Sequence, residues 1–150
     1  MAISQQKFRG IVFQLIFSQS FASFERETIN FVMHTLKVTR KVLKQAEEKS
    51  LCIQEKCSEI DALIESHSDS YAFTRITQVE KAVLRLAIYE LLYVEELPPK
   101  VVISEAIRLT RKFATVESAG FVNAVIDTLY KKRTLNVDTV ANETPVPSVI

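Results

Sequence analysis

Three carboxylates in the middle of the chain have a spacing that could hold a metal ion. Asp61, Glu65 and Asp69 stand four residues apart, and this spacing aligns side chains along one face of a helix. An acidic helical face exposed to solvent explains the pattern without a metal, and we predict no metal site there. His34 and His67 are far apart in sequence, and neither has a second metal ligand at close helical spacing.

The two cysteines do not form a reactive pair. Cys52 and Cys57 are five residues apart, which in a helix places them on different sides of the axis. We expect free thiols in a reducing cytoplasm. Gly10 and Gly120 are the only glycines, so the chain cannot form a glycine-rich phosphate loop. The sequence therefore indicates neither a cofactor nor an enzyme.

Basic side chains offer a different chemistry, the neutralisation of phosphate groups. Four of them recur on one face of a predicted helix: Lys37, Arg40, Lys41 and Lys44. A solvated face is the simpler interpretation of this stripe, and a nucleic-acid patch is the alternative. The net charge is only +1, so a nucleic-acid partner would be engaged by local clusters of this kind.

Helices must position these groups, because apolar residues recur at helical spacing almost throughout the chain. With 150 residues and 47% hydrophobic content, the chain can bury one ordinary core. No stretch reaches the roughly 18 to 20 apolar residues of a membrane span. We predict an all-α protein. Helices are expected near residues 4–19, 25–45 and 47–65, then from residue 77, after Pro98, and from Thr115 or Ser118.

The polar segment 66–74 divides the predicted helices into two helical subdomains. The second begins with Thr77 and Glu80, which fit a capping box, in which a hydroxyl and a carboxylate satisfy first-turn amides reciprocally. Apolar residues then cover most of the circumference of this helix, so it should be the central one. In the next helix Val102, Ala106, Leu109 and Phe113 line one face, joined by Ile103 and Ile107. We place the folded domain at residues 1–133 and predict a disordered tail at residues 134–150.

Specific strings in the second half resemble a known family. QVEKAVLRLAIYEL begins at Gln78 and FVNAVID at Phe121, and between them stand Pro98, Val101, Ile103, Glu105, Ala106 and Phe113. In the first helix, Arg9 and the string QLIFS from Gln14 add a weaker match. In order and spacing, these residues resemble the NusB family of transcription antitermination factors.

The resemblance implies a fold, a function and partners. The fold would be a bundle of about seven helices in two small subdomains, without enzymatic activity. The function would be to bind boxA RNA together with NusE, a small-subunit ribosomal protein, and to help RNA polymerase read through terminators in ribosomal RNA operons. The family includes monomers and dimers, so a homodimer is possible.

Five residues match positions of the family that contact RNA or lie beside its RNA surface: Lys7, Arg9, Glu117, Phe121 and Asn123. Only Lys7 and Arg9 stand where the family is arginine-rich, so RNA affinity without a partner should be weak. Phe121 would stack on a base or belong to the core. Asn123 would hydrogen-bond a base or cap a backbone segment. Glu117 would face the RNA or simply favour the helix N-terminus.

Phe17 and Glu80 match family positions that face NusE. Glu80 would combine this role with the capping box only if its carboxylate remains partly exposed. Arg85 and Glu90 lie in the central helix, where satisfied internal ion pairs are the simplest interpretation.

Two other classes of function remain open. They are the NusB-like module of ribosomal RNA cytosine methyltransferases, disfavoured because no methyltransferase domain follows, and a protein-interaction module that keeps the NusE surface without autonomous RNA binding.

Overall fold

A computed structural model describes residues 3–19, 38–67 and 73–143, with only the backbone described for Phe73 and for residues 133–143. Within these ranges the chain forms six α-helices and one short 3-10 turn, and no strand. The helices are α1 (Gln5–Gln19), α2 (Arg40–Glu55), α3 (Cys57–Ser66), α4 (Gln78–Tyr93), α5 (Pro99–Phe113) and α6 (Val116–Glu143); the 3-10 turn is Phe73–Arg75. The all-α prediction is confirmed, with six helices in the described ranges against about seven predicted. His34, Lys37 and Asp69 lie outside the described residues.

The predicted boundaries of the second and third helices were wrong. Thr39 accepts a hydrogen bond from the amide of Val42 (3.2 Å) and caps α2 at Arg40, and the helix continues through residues 45–47 as far as Glu55. The break comes at Lys56 instead, where the backbone leaves helical geometry before Cys57. No glycine or proline marks either position, so the periodicity alone could not locate them.

Helix α4 is central, as predicted. It contacts α1, α2, α3, α5 and α6, and buried side chains point from it in several directions. The capping box is present: Thr77 accepts from the amide of Glu80 (3.2 Å), and the Glu80 carboxylate accepts from the amide of Thr77 (2.9 Å). Two orphan amide groups are thereby satisfied at the point where the chain enters the core.

Helices α5 and α6 also begin where the sequence predicts. Pro98 caps α5 and Pro99 occupies its first turn, where a missing amide hydrogen costs no helical bond. Thr115 accepts from the amide of Ser118 (3.0 Å) at the start of α6. This helix extends to Glu143, so the predicted boundary at residue 133 does not coincide with its end. No proline interrupts the chain between Pro99 and Pro145, and each residue added to an existing helix forms one further hydrogen bond.

The buried apolar residues form one continuous cluster that runs from α1 to α6. Val12 and Leu15 of α1, Leu84 and Ile88 of α4 and Ile126 of α6 are each less than 1% exposed. Because α4 contributes to this cluster on every side, the two predicted halves share a core. Burial of this apolar surface is the main force that holds the helices together.

Candidate nucleic-acid interface

A groove between α1 and α5 gathers basic side chains at the surface. The residues that line it are Ser4, Gln6, Lys7, Gly10, Ile11, Gln14, Arg108, Leu109 and Lys112, none of them acidic. Lys7 and Lys112 are exposed, and Arg108 is partly so. The side-chain amides of Gln6 and Gln14 add neutral hydrogen-bonding groups. Positive charge beside neutral polar groups suits a ligand that carries phosphates.

The first turn of α1 sets the position of Lys7. The hydroxyl of Ser4 accepts the backbone N–H of Lys7 (3.1 Å), and the carbonyl of Ser4 accepts that of Phe8 (3.0 Å). Phe8 packs against the core. Its neighbour Lys7 is therefore turned about 100° around the helix axis, and this rotation carries the ammonium group toward solvent.

Arg9 lies in the core, and the prediction that it contacts RNA does not fit its position. The residue is 4% exposed. Its Nε contacts Glu90 at 3.1 Å and its guanidinium NH1 contacts Glu105 at 3.0 Å. A guanidinium that is buried against two carboxylates cannot also neutralise a phosphate. The sequence held one signal of this arrangement, because Glu90 and Glu105 both stand among apolar residues and would need a buried cation.

Arg9 is the centre of a wider ionic network that joins four helices. Lys49 of α2 contacts the second oxygen of Glu90 at 3.2 Å. Arg108 of α5 pairs with Glu105 and also donates to the backbone carbonyl of Gln6 (3.3 Å). The network therefore ties α1 to α2, α4 and α5. It also fixes Arg108, which forms part of the groove, against the first turn of α1.

An aromatic corner closes the C-terminal end of α5. Phe113 was predicted to line the core, but it is 36% exposed. Its ring packs on Phe13 with centroids 4.8 Å apart, and the ammonium group of Lys112 lies 5.4 Å from its centroid. An exposed ring beside exposed cations is a surface on which nucleic-acid bases stack. The cluster of Arg108, Arg111 and Lys112 just before Phe113 was the sequence signal that the prediction overlooked.

The three predicted RNA residues of α6 do not form one patch. Glu117 and Asn123 are exposed, whereas Phe121 is partly buried and packs against the core. Glu117 and Phe121 are one turn apart and share a side of the helix. Asn123 lies about 200° around the axis from Phe121, on the opposite flank of the buried face that contains Val122 and Ile126. A single nucleotide could not reach both Phe121 and Asn123.

Phe17 and Glu80 lie at the same end of the molecule. Arg9 contacts Glu90, and Ile16 lines the same cleft as Arg85, so α1 and α4 run antiparallel. The C-terminal turn of α1, with Phe17, is therefore beside the N-terminal turn of α4. Phe17 is partly buried and stacks on Phe13, with centroids 6.1 Å apart.

A contact between Glu80 and a partner was expected only if the carboxylate remains partly exposed, and the structure does not meet this condition. Glu80 is only 8% exposed, and one carboxylate oxygen is held by the amide of Thr77. Little of the side chain remains on the surface. A partner would reach Glu80 at its edge rather than across its full carboxylate.

Asp61 serves a structural role and does not belong to an exposed acidic face. Its two oxygens accept hydrogen bonds from Nε and NH2 of Arg85, both at 2.9 Å. The Sγ of Cys57 lies 3.5 Å from the same carboxylate. Burial, together with the negative charge of Asp61, raises the pKa of the Cys57 thiol, although Arg85 opposes the shift. Arg85 and Glu90 are thus satisfied in separate ion pairs, as the structural interpretation predicted. Of the two described members of the acidic series, Glu65 is exposed and Asp61 is partly buried.

The described residues contain no cluster of three or more potential metal ligands. His67 ends α3, where its Nδ1 lies 2.8 Å from the carbonyl of Leu63. Among the helices described, none is long and apolar enough to cross a membrane.

Comparison with known proteins decides the family. The model of the NusB family matches residues 6–131, which include α1 to α5 and most of α6. The chain belongs to the NusB family. Both the α1–α5 groove and the end that contains Phe17 and Glu80 lie within the matched range.

Curated relatives support the NusB assignment over most of the chain. The transcription antitermination protein NusB of Clostridium perfringens is 35% identical over 132 residues, which cover 86% of this chain and 98% of that protein. The NusB of Treponema denticola is 44% identical over 78 residues, which cover 52% of this chain and 57% of that protein.

Solved NusB structures share the fold. T. maritima NusB is 29% identical to this chain and superimposes with a TM-score of 0.72, covering 88% of this chain and 94% of that one. A NusB chain from a complex of antitermination factors NusB and NusE with double-stranded RNA superimposes with a TM-score of 0.73 at 23% identity. That match covers 85% of this chain and 96% of the other, and at this identity it shows the fold alone.

Proposed function

We propose that this protein is a transcription antitermination factor that binds boxA RNA together with the ribosomal protein NusE and promotes read-through of ribosomal RNA operons. Membership of the NusB family over residues 6–131 carries this conclusion. A NusB with the same fold is found with NusE and double-stranded RNA in one complex. The protein would act in the cytoplasm as an adaptor in a complex with RNA polymerase, without catalysing a reaction.

The RNA surface that the geometry favours is the α1–α5 groove and the adjoining corner. Lys7 and Lys112 supply exposed positive charge, and Phe113 supplies an exposed aromatic ring. Phe121 and Glu117 remain proposed contacts on one side of α6. Asn123 remains a proposed contact only for an RNA strand that crosses α6 to its other flank. Arg9 contributes indirectly, because its ionic network holds Arg108 and α1 in place.

The NusE surface is proposed at the end where α1 finishes and α4 begins. Phe17 offers part of an aromatic ring there, and Glu80 offers the accessible edge of a carboxylate. Ribosomal proteins are commonly basic, and a carboxylate at the edge of an interface favours such a partner. This surface lies at the opposite end of α1 from Lys7, so both partners could bind at once.

A second candidate function is a protein-interaction module that binds NusE without autonomous RNA binding. The burial of Arg9 favours it, because Lys7 alone of the two predicted N-terminal cations remains exposed. Each phosphate contact that is absent lowers affinity and flattens its dependence on salt.

Fluorescence anisotropy with labelled boxA RNA separates the two functions. We expect weak binding by the protein alone and at least tenfold tighter binding when NusE is present. A scrambled RNA of the same length is the control for non-specific attraction. Equal affinity with and without NusE would refute the cooperative model, and no boxA binding in either condition would establish the interaction module. Analytical ultracentrifugation of the free protein measures whether it forms a homodimer.

A further inference from the structure

The outer face of α5 carries an apolar groove that shares only Arg108 with the α1–α5 groove proposed for RNA. Its volume is about 640 Å³, and its lining residues are Lys100, Ile103, Ser104, Ile107, Arg108 and Arg111. Ile103 and Ile107 form the floor, and both are only partly buried. Val101, beside the groove, is 41% exposed.

The core explains these isoleucines only in part, because Ile103 packs against the core cluster whereas Ile107 is not among the residues that do so. The buried face of α5 consists of Val102, Glu105, Ala106, Leu109 and Thr110. At 100° per residue, the groove residues are centred on the opposite side of the helix. The sequence predicted that Ile103 and Ile107 join the core face. In the structure Ile103 lies at the margin of that face, and Ile107 lies beyond it. Aliphatic side chains that cluster on the solvent side of a helix are typical of a binding surface.

Positive charge frames the apolar floor. Lys100 lies at one end and Arg111 at the other, both exposed, and 11 residues of helix place them roughly 16 Å apart. Arg108 forms one edge and is held there by Glu105 and by the carbonyl of Gln6. No acidic residue is among the described residues that line the groove.

The charge pattern selects among possible occupants. A second copy of the same face would bring like charges together at both ends, which is unfavourable. RNA would gain phosphate contacts, but two isoleucines provide neither an aromatic ring for stacking nor hydrogen-bond groups for base edges. An amphipathic helix with aliphatic residues flanked by Asp or Glu matches both the floor and its ends.

We propose that this surface docks an acidic amphipathic helix of a partner protein. Two or three aliphatic side chains of that helix, spaced three or four residues apart, contact Ile103 and Ile107. Its carboxylates lie near Lys100 and Arg111. The residues that line the surface all belong to α5, and the surface lies apart from the end with Phe17 and Glu80. Arg108 also lines the α1–α5 groove, but Lys100 and Ile107 do not, so variants at these two residues separate peptide docking from RNA and NusE binding.

A designed peptide tests the proposal on the full-length protein. The probe is a fluorescein-labelled helical peptide with leucines at i, i+3, i+4 and i+7 and glutamates at both ends. We expect saturable binding, and chemical-shift changes in the ¹⁵N-labelled protein that centre on residues 100–111. Lys100→Glu combined with Arg111→Glu should weaken binding at least tenfold, and Ile107→Ser should do the same. Lys41→Glu combined with Lys44→Glu is the matched control, because it makes the same charge change on exposed residues of α2.

The decisive test exchanges the charges of the peptide with those of the protein. A peptide with lysines in place of the glutamates should bind the Lys100→Glu/Arg111→Glu variant at least tenfold more tightly than it binds the parent protein. The proposal is overturned if the acidic peptide fails to bind or binds the control and groove variants equally. It is also overturned if the groove variant loses boxA RNA affinity without losing the peptide, or if Ile107→Ser abolishes a self-association seen by ultracentrifugation.

Discussion

Lys7 and Arg9 are two residues apart in sequence, yet they belong to regions with opposite uses of positive charge. Lys7 lies at the rim of the α1–α5 groove and is exposed, whereas Arg9 lies beneath it and is 4% exposed between Glu90 and Glu105. A rim cation can exchange water for phosphate at little cost. A buried cation has already exchanged water for carboxylates, and its removal leaves Glu90 and Glu105 with only the less buried cations Lys49 and Arg108. Charge type therefore predicts little until the position of each residue on its helix is known.

Removing the buried cation should have the largest effect. We expect Arg9→Ala to lower the free energy of unfolding by about 3 to 5 kcal/mol, because Glu90 and Glu105 lose their shared partner. Urea denaturation followed by circular dichroism measures the change. Combining Arg9→Met with Glu90→Gln and Glu105→Gln should recover most of the loss, since no buried charge then lacks a partner. If Arg9→Ala lowers the free energy of unfolding by less than about 1 kcal/mol, Arg9 behaves like an exposed cation, and its burial does not distinguish it from Lys7.

The buried carboxylate of Glu80 sharpens the comparison, because its partner is a backbone amide and not a cation. Glu80→Lys should destabilise the fold by about 1 to 2 kcal/mol through loss of the capping box. It should also weaken NusE binding. Glu80→Gln retains an acceptor for the amide of Thr77, so the fold should keep its melting temperature. Calorimetric titration with NusE then isolates the effect of charge. If Glu80→Gln binds NusE as the parent does, the negative charge has no role at the interface.

The rim cations should change RNA binding without changing stability. We expect Lys7→Ala combined with Lys112→Ala to weaken boxA affinity and to flatten the salt dependence by up to about one unit for each lost phosphate contact. The melting temperature should stay within error of the parent. Anisotropy titrations at several salt concentrations measure the slope. Arg40→Ala combined with Lys44→Ala is the matched control, and if it alone abolishes binding, the RNA surface is on α2.

Shortening the last helix should have the smallest effect. We expect deletion of residues 134–150 to change the free energy of unfolding by less than about 0.5 kcal/mol, because helix formation by itself contributes little free energy in water. RNA binding should also be retained. Thermal melting and anisotropy check both expectations. Loss of RNA binding would show that the C-terminal segment contributes to the RNA surface.

Local signals made much of the fold predictable from the sequence. The hydroxyl of Thr77 and the carboxylate of Glu80 form the capping box from residues three apart, and Pro98 and Pro99 set the start of α5. The burial of Arg9 depends instead on Glu90 and Glu105, which are 81 and 96 residues away. The local pattern indicates that these two carboxylates need a buried cation, but it does not identify Arg9 as that cation. The break at Lys56 was missed for a different reason, because neither glycine nor proline accompanies it.

Only the approximate location of the candidate site, near the starts of α1 and α6, was predictable from the sequence. Lys7 is exposed and Phe121 packs at the margin of the core, and the RNA contacts predicted for both stay predictions. The groove itself requires α5 to pack beside α1. That packing adds Arg108 and Lys112, which the family resemblance did not indicate. The geometry of α6 separates Phe121 from Asn123, because residues two apart in sequence lie about 200° apart around a helix axis.

The ionic network around Arg9 also constrains the order of events during synthesis on the ribosome. Helix α1 is the first to be made, but the carboxylates that neutralise Arg9 follow 81 and 96 residues later. At 5 to 20 residues per second, that delay is roughly 5 to 20 seconds. During this interval α1 has an unpaired cation on the side that it must later bury, so docking before Glu90 emerges is unfavourable. Nascent chains arrested before residue 90 are expected to leave α1 open to limited proteolysis, and chains that expose residue 105 beyond the exit tunnel are expected to protect it.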